Sequence, residues 1–279
     1  MAFETAAWWV FLCAISAVNV LVWAASALWV RRRQGFGQPE DGRQAKLQLL
    51  LSGGYVFGCA FRSAFPVYDV QRQVLVDSWL SSVIVGRSVA TMAELCFVIQ
   101  WAMLLHAVSK AQGHGFGRAV ARLIVPMILV AEICSWHAVL TTANLGHVIE
   151  ESLWGLSSAL VLVALIGLWP RCHRSLRPLL LLWGAAGLAY VIYMFGVDVP
   201  MYWARWLADE AQGRAYLSVF QGVVDASQRW VVSHRWEDWK SEVVWMSLYF
   251  SVAVWLSIGL VHAAATLRHT GRAVHIKPS

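Results

Sequence analysis

Seven apolar stretches, at 7–30, 47–66, 79–107, 119–144, 148–169, 178–198 and 243–266, leave this chain few ways to fold. A helix rising 1.5 Å per residue needs about 20 apolar residues to cross a hydrocarbon core of ~30 Å, and these stretches reach that length. Backbone amides find no water inside a bilayer, so only helices and closed barrels can span it, and runs this long are too long for barrel strands. The expectation is an all-α membrane protein, a seven-transmembrane-helix bundle forming a single integral-membrane domain over residues 1–279. Composition agrees, with 59% hydrophobic and 14% charged residues and a mean hydropathy of +0.57.

Basic residues collect in alternate connections: Arg31, Arg32, Arg33, Arg43 and Lys46; Lys110, Arg118 and Arg122; Arg171, Arg174 and Arg177; Arg268, Arg272 and Lys277. The positive-inside rule makes those connections cytoplasmic. The N-terminus, the 67–78 loop, the 145–147 turn and the long 199–241 loop then face outward, and the C-terminus lies in the cytoplasm. A net charge of +6 is thereby accounted for by topology and makes no case for nucleic acid. The first stretch lacks a basic leader region and is followed by three arginines, so it reads as a retained span. A bacterial inner membrane fits this pattern. The five cysteines, Cys13, Cys59, Cys96, Cys134 and Cys172, are an odd number mostly within spans, which suggests no disulfide framework.

The 199–241 loop is long for a bare connection. It carries Trp203, Trp206, Trp230, Trp236 and Trp239, with Tyr216, Leu217, Phe220, Val223 and Val224 at mostly helical spacing, so one or two amphipathic helices at the outer surface are expected. Nine of the 17 tryptophans fall at or near the outer boundary, as in an aromatic belt. Gly54 and Gly58 form a small-xxx-small pair suited to close helix contact.

Within the apolar stretches lie groups that lipid should exclude. A charged side chain at bilayer depth costs at least ~2.5 kcal/mol on insertion scales, so several on consecutive helices imply a shared polar interior. Counting from the span ends puts Glu94 and Glu132 near the bilayer middle, with Arg62, Arg87, His137, Asn144, Glu150, Glu151 and Asp198 nearer the outer boundary. Arg87, Thr91 and Glu94 share one helical stripe, as do Cys134, His137, Thr141 and Asn144. Glu132 is about 140° from His137 around the helix and does not share its face. Burial disfavours the charged form of a carboxylate, which suits such groups to acid–base work or proton carriage. The candidate catalytic residues are Glu94, Glu132 and His137. Arg62, Arg87, Asn144, Glu150 and Glu151 are candidates for substrate binding, since a guanidinium fork matches phosphate or carboxylate. No span holds a His-x-x-x-His pair, so no metal ligand set is assigned and the cofactor is left unknown.

Seven spans invite comparison with microbial rhodopsins, whose seventh span carries a retinal lysine; residues 243–266 have none. The stretch Val148-Ile149-Glu150-Glu151-Ser152-Leu153-Trp154 resembles the Pro-x-Glu-Glu-x-x-Phe element of membrane-bound lycopene cyclases, without its proline and with Trp154 in place of phenylalanine. The leading expectation is an integral-membrane enzyme acting by acid–base chemistry on a lipid or isoprenoid, a small hydrophobic or amphipathic ligand entering from the membrane lipid. The alternatives are a proton-coupled transporter or ligand-sensing seven-helix receptor, and a non-catalytic subunit of a membrane complex. Oligomeric state is left unassigned.

Overall fold

The computed structural model describes residues 3–33 and 39–263. Arg268, Arg272 and Lys277, which contribute to the orientation argument, lie outside them. Among the described residues six helices are long and apolar enough to cross a membrane: Phe3–Arg32, Val83–Ala111, Gly115–Thr141, Leu145–Leu168, Arg177–Ala211 and Val243–Ala263. The chain is therefore helical and multi-pass. The stretch at 47–66 is also helical, within Pro39–Ala64. It falls outside the six because even its apolar part carries Gln48, Ser52, Arg62 and Ser63 along with three glycines, which lower its hydropathy.

The chain divides into two compact units, Met1–Gln100 with Val223–His262, and Trp101–Gly222 with Ala263. The first holds α1 (Phe3–Arg33), α2 (Pro39–Ala64), β1 (Val67–Tyr68), β2 (Gln73–Val74) and most of α3 (Val83–Ala111). Its C-terminal portion holds β3 (Val231–Val232), the one-turn α9 (Trp236–Trp239), α10 (Val243–Leu248) and the helix that continues from it. β1 pairs antiparallel with β2, and β2 pairs parallel with β3. The small sheet is thus completed by residues far apart in sequence. Arg72, left-handed at φ 58, stitches it: buried Nε bonds Asp225 at 2.8 Å and Nη1 donates to Asp69 O at 2.6 Å. Trp230 adds a bond to Asp77 at 2.9 Å. Asp69, Arg72 and Asp77 are therefore loop-ordering groups.

The core of this unit is aromatic. Trp8 and Trp239 meet at 5.8 Å between centroids, and each indole donates inward, to Ser247 Oγ and Ser233 O. Trp239 is completely buried, whereas Trp79 and Trp203 are exposed as members of an aromatic belt would be. Deeper in the unit, Gln48, Gln100, Ser52 and Ser257 form a buried network. Gln100 Nε2 donates to Gln48 Oε1 at 3.2 Å and accepts the Ser257 hydroxyl on Oε1 at 2.6 Å. Polar side chains of this kind join helices where the surroundings are as apolar as the helices themselves.

The second unit is built on α4 (Gly115–Thr141) and α5 (Leu145–Leu168), which pack against one another through the short connection 142–144. Thr142 makes the reversal at φ 63. Residues 145–147, expected as an outer turn, are the first turn of α5. α6 (Arg177–Tyr193) runs through a π turn, Met194–Asp198, into α7 (Val199–Ala211), so one continuous helix covers both the sixth stretch and the start of the expected loop. α8 (Val219–Gln228) follows and crosses the boundary between the units. The loop before α8 is pinned to the end of α4: Leu217 N–H donates to Thr141 O at 3.1 Å.

Candidate functional site

Each unit holds a group of buried ionisable side chains contributed by the apolar helices. In the second unit, close packing brings two carboxylates together. A Cβ on Gly146 would lie 2.5 Å from Cys134 O and 2.7 Å from Ala138 Cβ, so only glycine lets α5 approach α4 this closely. One turn further along α5 is Glu150, and an oxygen of its carboxylate lies within 4.8 Å of one from Glu132 on α4. Both side chains are buried. Two full negative charges at that separation repel strongly where water is scarce, and a proton or cation held between them relieves the repulsion.

The third member is His147. It precedes Glu150 by three residues, which places the two side chains on one helical face. His147 Nδ1 and Glu150 Oε2 are 2.7 Å apart, both groups buried. The imidazole packs on the Tyr202 ring of α7 at 4.8 Å, and the Arg205 guanidinium lies 5.3 Å over that ring. The π turn contributes to this part of the fold, because Phe195 and Met194 press against Gly155 of α5, where a Cβ would sit 2.8 Å from the Phe195 ring. Arranged in this way, His147 and Glu150 can exchange a proton directly across 2.7 Å, and Glu132 lies within reach of Glu150 through one bridging group, all three held by helices rather than loops.

Asn144, immediately before α5, donates Nδ2 to Asp209 Oδ2 of α7 at 2.7 Å, and Asp209 also pairs with Arg214 at 3.0 Å. This network closes the same end of the α4–α5 pair. Nearby, the Tyr216 hydroxyl donates to Glu210 at 2.7 Å. Burial, then the Glu210 bond and charge, push the Tyr216 phenol up to about 12.

In the first unit, Arg87 and Glu94 follow the stripe that their i, i+7 spacing describes. Arg87 Nη2 donates to Glu94 Oε2 at 3.4 Å, with both side chains largely buried. The other carboxylate oxygen, Oε1, accepts from the Tyr249 hydroxyl at 2.9 Å. Tyr249 meets Tyr55 edge-on at 5.8 Å, and Tyr55 stacks on Phe97 at 4.6 Å. Arg62 pairs with Asp69 at 3.6 Å and donates to Val67 O, which ties the end of α2 to β1.

Within each unit, some of the sequence-derived candidates meet. Glu132 and Glu150 come together in the second unit, and Arg87 and Glu94 in the first. Glu151 is buried on α5, Asn144 serves the Asp209 network, and Arg62 is engaged at the loop. His137 lies exposed on α4, on a different face from the buried Glu132. The histidine beside a carboxylate is His147, and its i, i+3 relation to Glu150 was available in the sequence once α5 is started at Leu145. Tyr249 carries no such signal, because the polar Ser247, Ser251 and Trp255 share one face of the last span by their i, i+4 spacing while Tyr249 lies on another, and it reaches Glu94 only through a local change of helix type.

Within the second unit, Glu132 and Glu150 each offer one hard carboxylate oxygen, a donor type that suits a hard cation. The chain matches no family model, no curated protein and no solved structure.

Proposed function

We propose that this multi-pass helical protein is an integral-membrane enzyme that rearranges a lipid or isoprenoid substrate by proton transfer. The observation that carries the reading is the buried Glu132, Glu150 and His147 cluster. One carboxyl gives a proton to the substrate, its ionised partner removes one elsewhere, and His147 passes protons between Glu150 and its surroundings. A proton in and a proton out leave the substrate's oxidation level unchanged. Glu94, bridged by Arg87 and Tyr249, is a further acid–base group. Arg62 and Arg87 already face Asp69 and Glu94, so an anionic substrate group recognised by either must compete with that carboxylate.

In this reading α2 is the seventh span, its apolar part running from Leu47 to Ala64. The N-terminus then lies outside and the C-terminus in the cytoplasm of a bacterial inner membrane. The test is mass-spectrometric profiling of lipids and pigments from cells with and without the protein, repeated for Glu132→Gln and Glu150→Gln. Expected is a product that depends on the protein and disappears in both variants while they still accumulate in the membrane. Unchanged profiles, or full product from both variants, overturn the proposal.

A second reading, proton-coupled transport, draws on one observation: two spans are interrupted by π turns, Met194–Asp198 and Tyr249–Ala253. Such turns occur often at functional sites. A carrier would show uptake into liposomes that depends on a pH gradient, with the ligand chemically unchanged.

A further inference from the structure

The π turn in the last span has a dedicated partner on α1. Within Tyr249–Ala253 the helix takes an extra residue per turn. At its end Val254 N–H bonds to Ser251 O instead of to the carbonyl of Phe250, four residues back. That Phe250 carbonyl accepts from Asn19 Nδ2 at 2.8 Å, in a buried setting. Asn19 Oδ1 in turn accepts from the Trp255 indole at 2.8 Å. One asparagine side chain thus meets a backbone group inside the turn and a side chain just beyond it. A buried carbonyl without a donor is costly, more so in a membrane, so this bond bears directly on whether the turn persists. Trp8, also on α1, bonds Ser247 Oγ at 3.1 Å on the other side of the turn.

The turn decides which side chain faces Glu94. Rewinding the same residues as an α-helix would rotate everything on one side of the turn by about 100° relative to the other, whereas removing the one extra residue restores the α-helix with both sides in phase. Tyr249 lies on one side of that boundary and Trp255 on the other. With the turn in place, Tyr249 Oη reaches Glu94 Oε1 at 2.9 Å.

We propose that Asn19 is a positioning residue: it holds the π turn of the last span in place so that Tyr249 is presented to Glu94. The functional part rests on the reading of Glu94 as an acid–base group; the structural part stands without it. Asn19 bonds Phe250 O and the Trp255 indole, and its effect runs through Tyr249.

Two measurements on the full-length protein test this. The first is thermal unfolding in detergent, followed by tryptophan fluorescence, for wild type, Asn19→Ala, deletion of Val252, and the two changes combined. Val252 is partly exposed and lies inside the turn, so its deletion returns the span to α-helical register. Asn19→Ala is expected to lower the melting temperature. Deleting Val252 in that background is expected to recover it, because an α-helix supplies its own donor to the freed carbonyl. An ordinary tertiary hydrogen bond would show no rescue by deletion. Unchanged melting in Asn19→Ala, or further loss in the combined variant, overturns the proposal.

The second measurement is the protein-dependent product. Asn19→Ala and Tyr249→Phe are each expected to reduce it, on the order of 10²-fold for a misplaced catalytic group, and the double variant to lose no more than the worse single one. Additive losses refute action through Tyr249. Rescue in the melting experiment, with full product from Asn19→Ala, Tyr249→Phe and Glu94→Gln alike, keeps the positioning role and removes Glu94 from the chemistry.

Discussion

Gly146→Ala is the sharpest test of how the second unit assembles its carboxylate pair. The added Cβ would stand 2.5 Å from Cys134 O and 2.7 Å from Ala138 Cβ. Carbon atoms in comfortable contact are ~3.5 Å apart or more, so the two helices must separate by roughly 0.8 Å at this level. Neither obstacle can move aside, because one is a backbone carbonyl and the other a Cβ fixed to its own helix. Overpacking of this kind costs about 1–3 kcal/mol, set against the ~1 kcal/mol that alanine gains over glycine from helix propensity. A control isolates the packing contribution. Gly187 lies inside α6 with nothing within 4 Å of its would-be Cβ, so Gly187→Ala should keep the propensity gain undiminished. The same methyl group is therefore expected to act with opposite sign at two positions. Thermal melts of the purified protein read this directly, with each kcal/mol worth about 2–4 °C in a chain of this size. Gly146→Ala should melt lower than wild type and Gly187→Ala slightly higher. A Gly146→Ala protein as stabilised as Gly187→Ala would refute the close approach of α4 and α5, and with it the basis for pairing Glu132 with Glu150.

Three further outcomes follow from individual contacts. His147→Phe keeps a ring against Tyr202 but removes the 2.7 Å bond to Glu150, so it should cost about 1–3 kcal/mol in the same melt and abolish the protein-dependent product. Arg72→Met removes one of the two arginine partners of Asp225, the other being Arg229 at 2.6 Å, together with the bond to Asp69 O, and should destabilise the sheet-bearing unit by about 1–3 kcal/mol, seen as earlier proteolysis after Arg229 as well as a lower melting temperature. Tyr216 is raised to about 12 in the folded chain, so its contribution to stability is fully present below its ordinary value near 10 and is lost as pH rises through about 12. Tyr216→Phe should therefore flatten the fall in stability between those two values, and an unchanged fall would refute the Glu210 hydrogen bond.

Helix content and membrane character were legible in the sequence because both depend on local quantities. The length and mean hydropathy of an apolar run decide whether a helix can cross a bilayer, and neither needs a partner. The Arg87 and Glu94 pairing was legible for a related reason: both residues lie on one helix, whose period places them on one face. The same rule linked His147 to Glu150, but it depended on where α5 begins, and the polar Asn144 and small Gly146 made that boundary hard to place from hydropathy.

What only the tertiary structure decided are the relations between helices and the irregularities within them. Glu132 and Glu150 are eighteen positions apart on different helices, and their approach depends on Gly146 fitting against Cys134 and Ala138. Arg72 finds Asp225 across more than half the chain. Tyr249 reaches Glu94 because a π turn shifts the phase of the last span, and that turn is held by Asn19 from the first helix. Periodicity assumes 3.6 residues per turn throughout, so it cannot foresee a turn whose stability depends on a side chain more than two hundred residues away. The sequence by itself determined which segments are helical and which charges lie within them; the three-dimensional packing determined which of those charges meet.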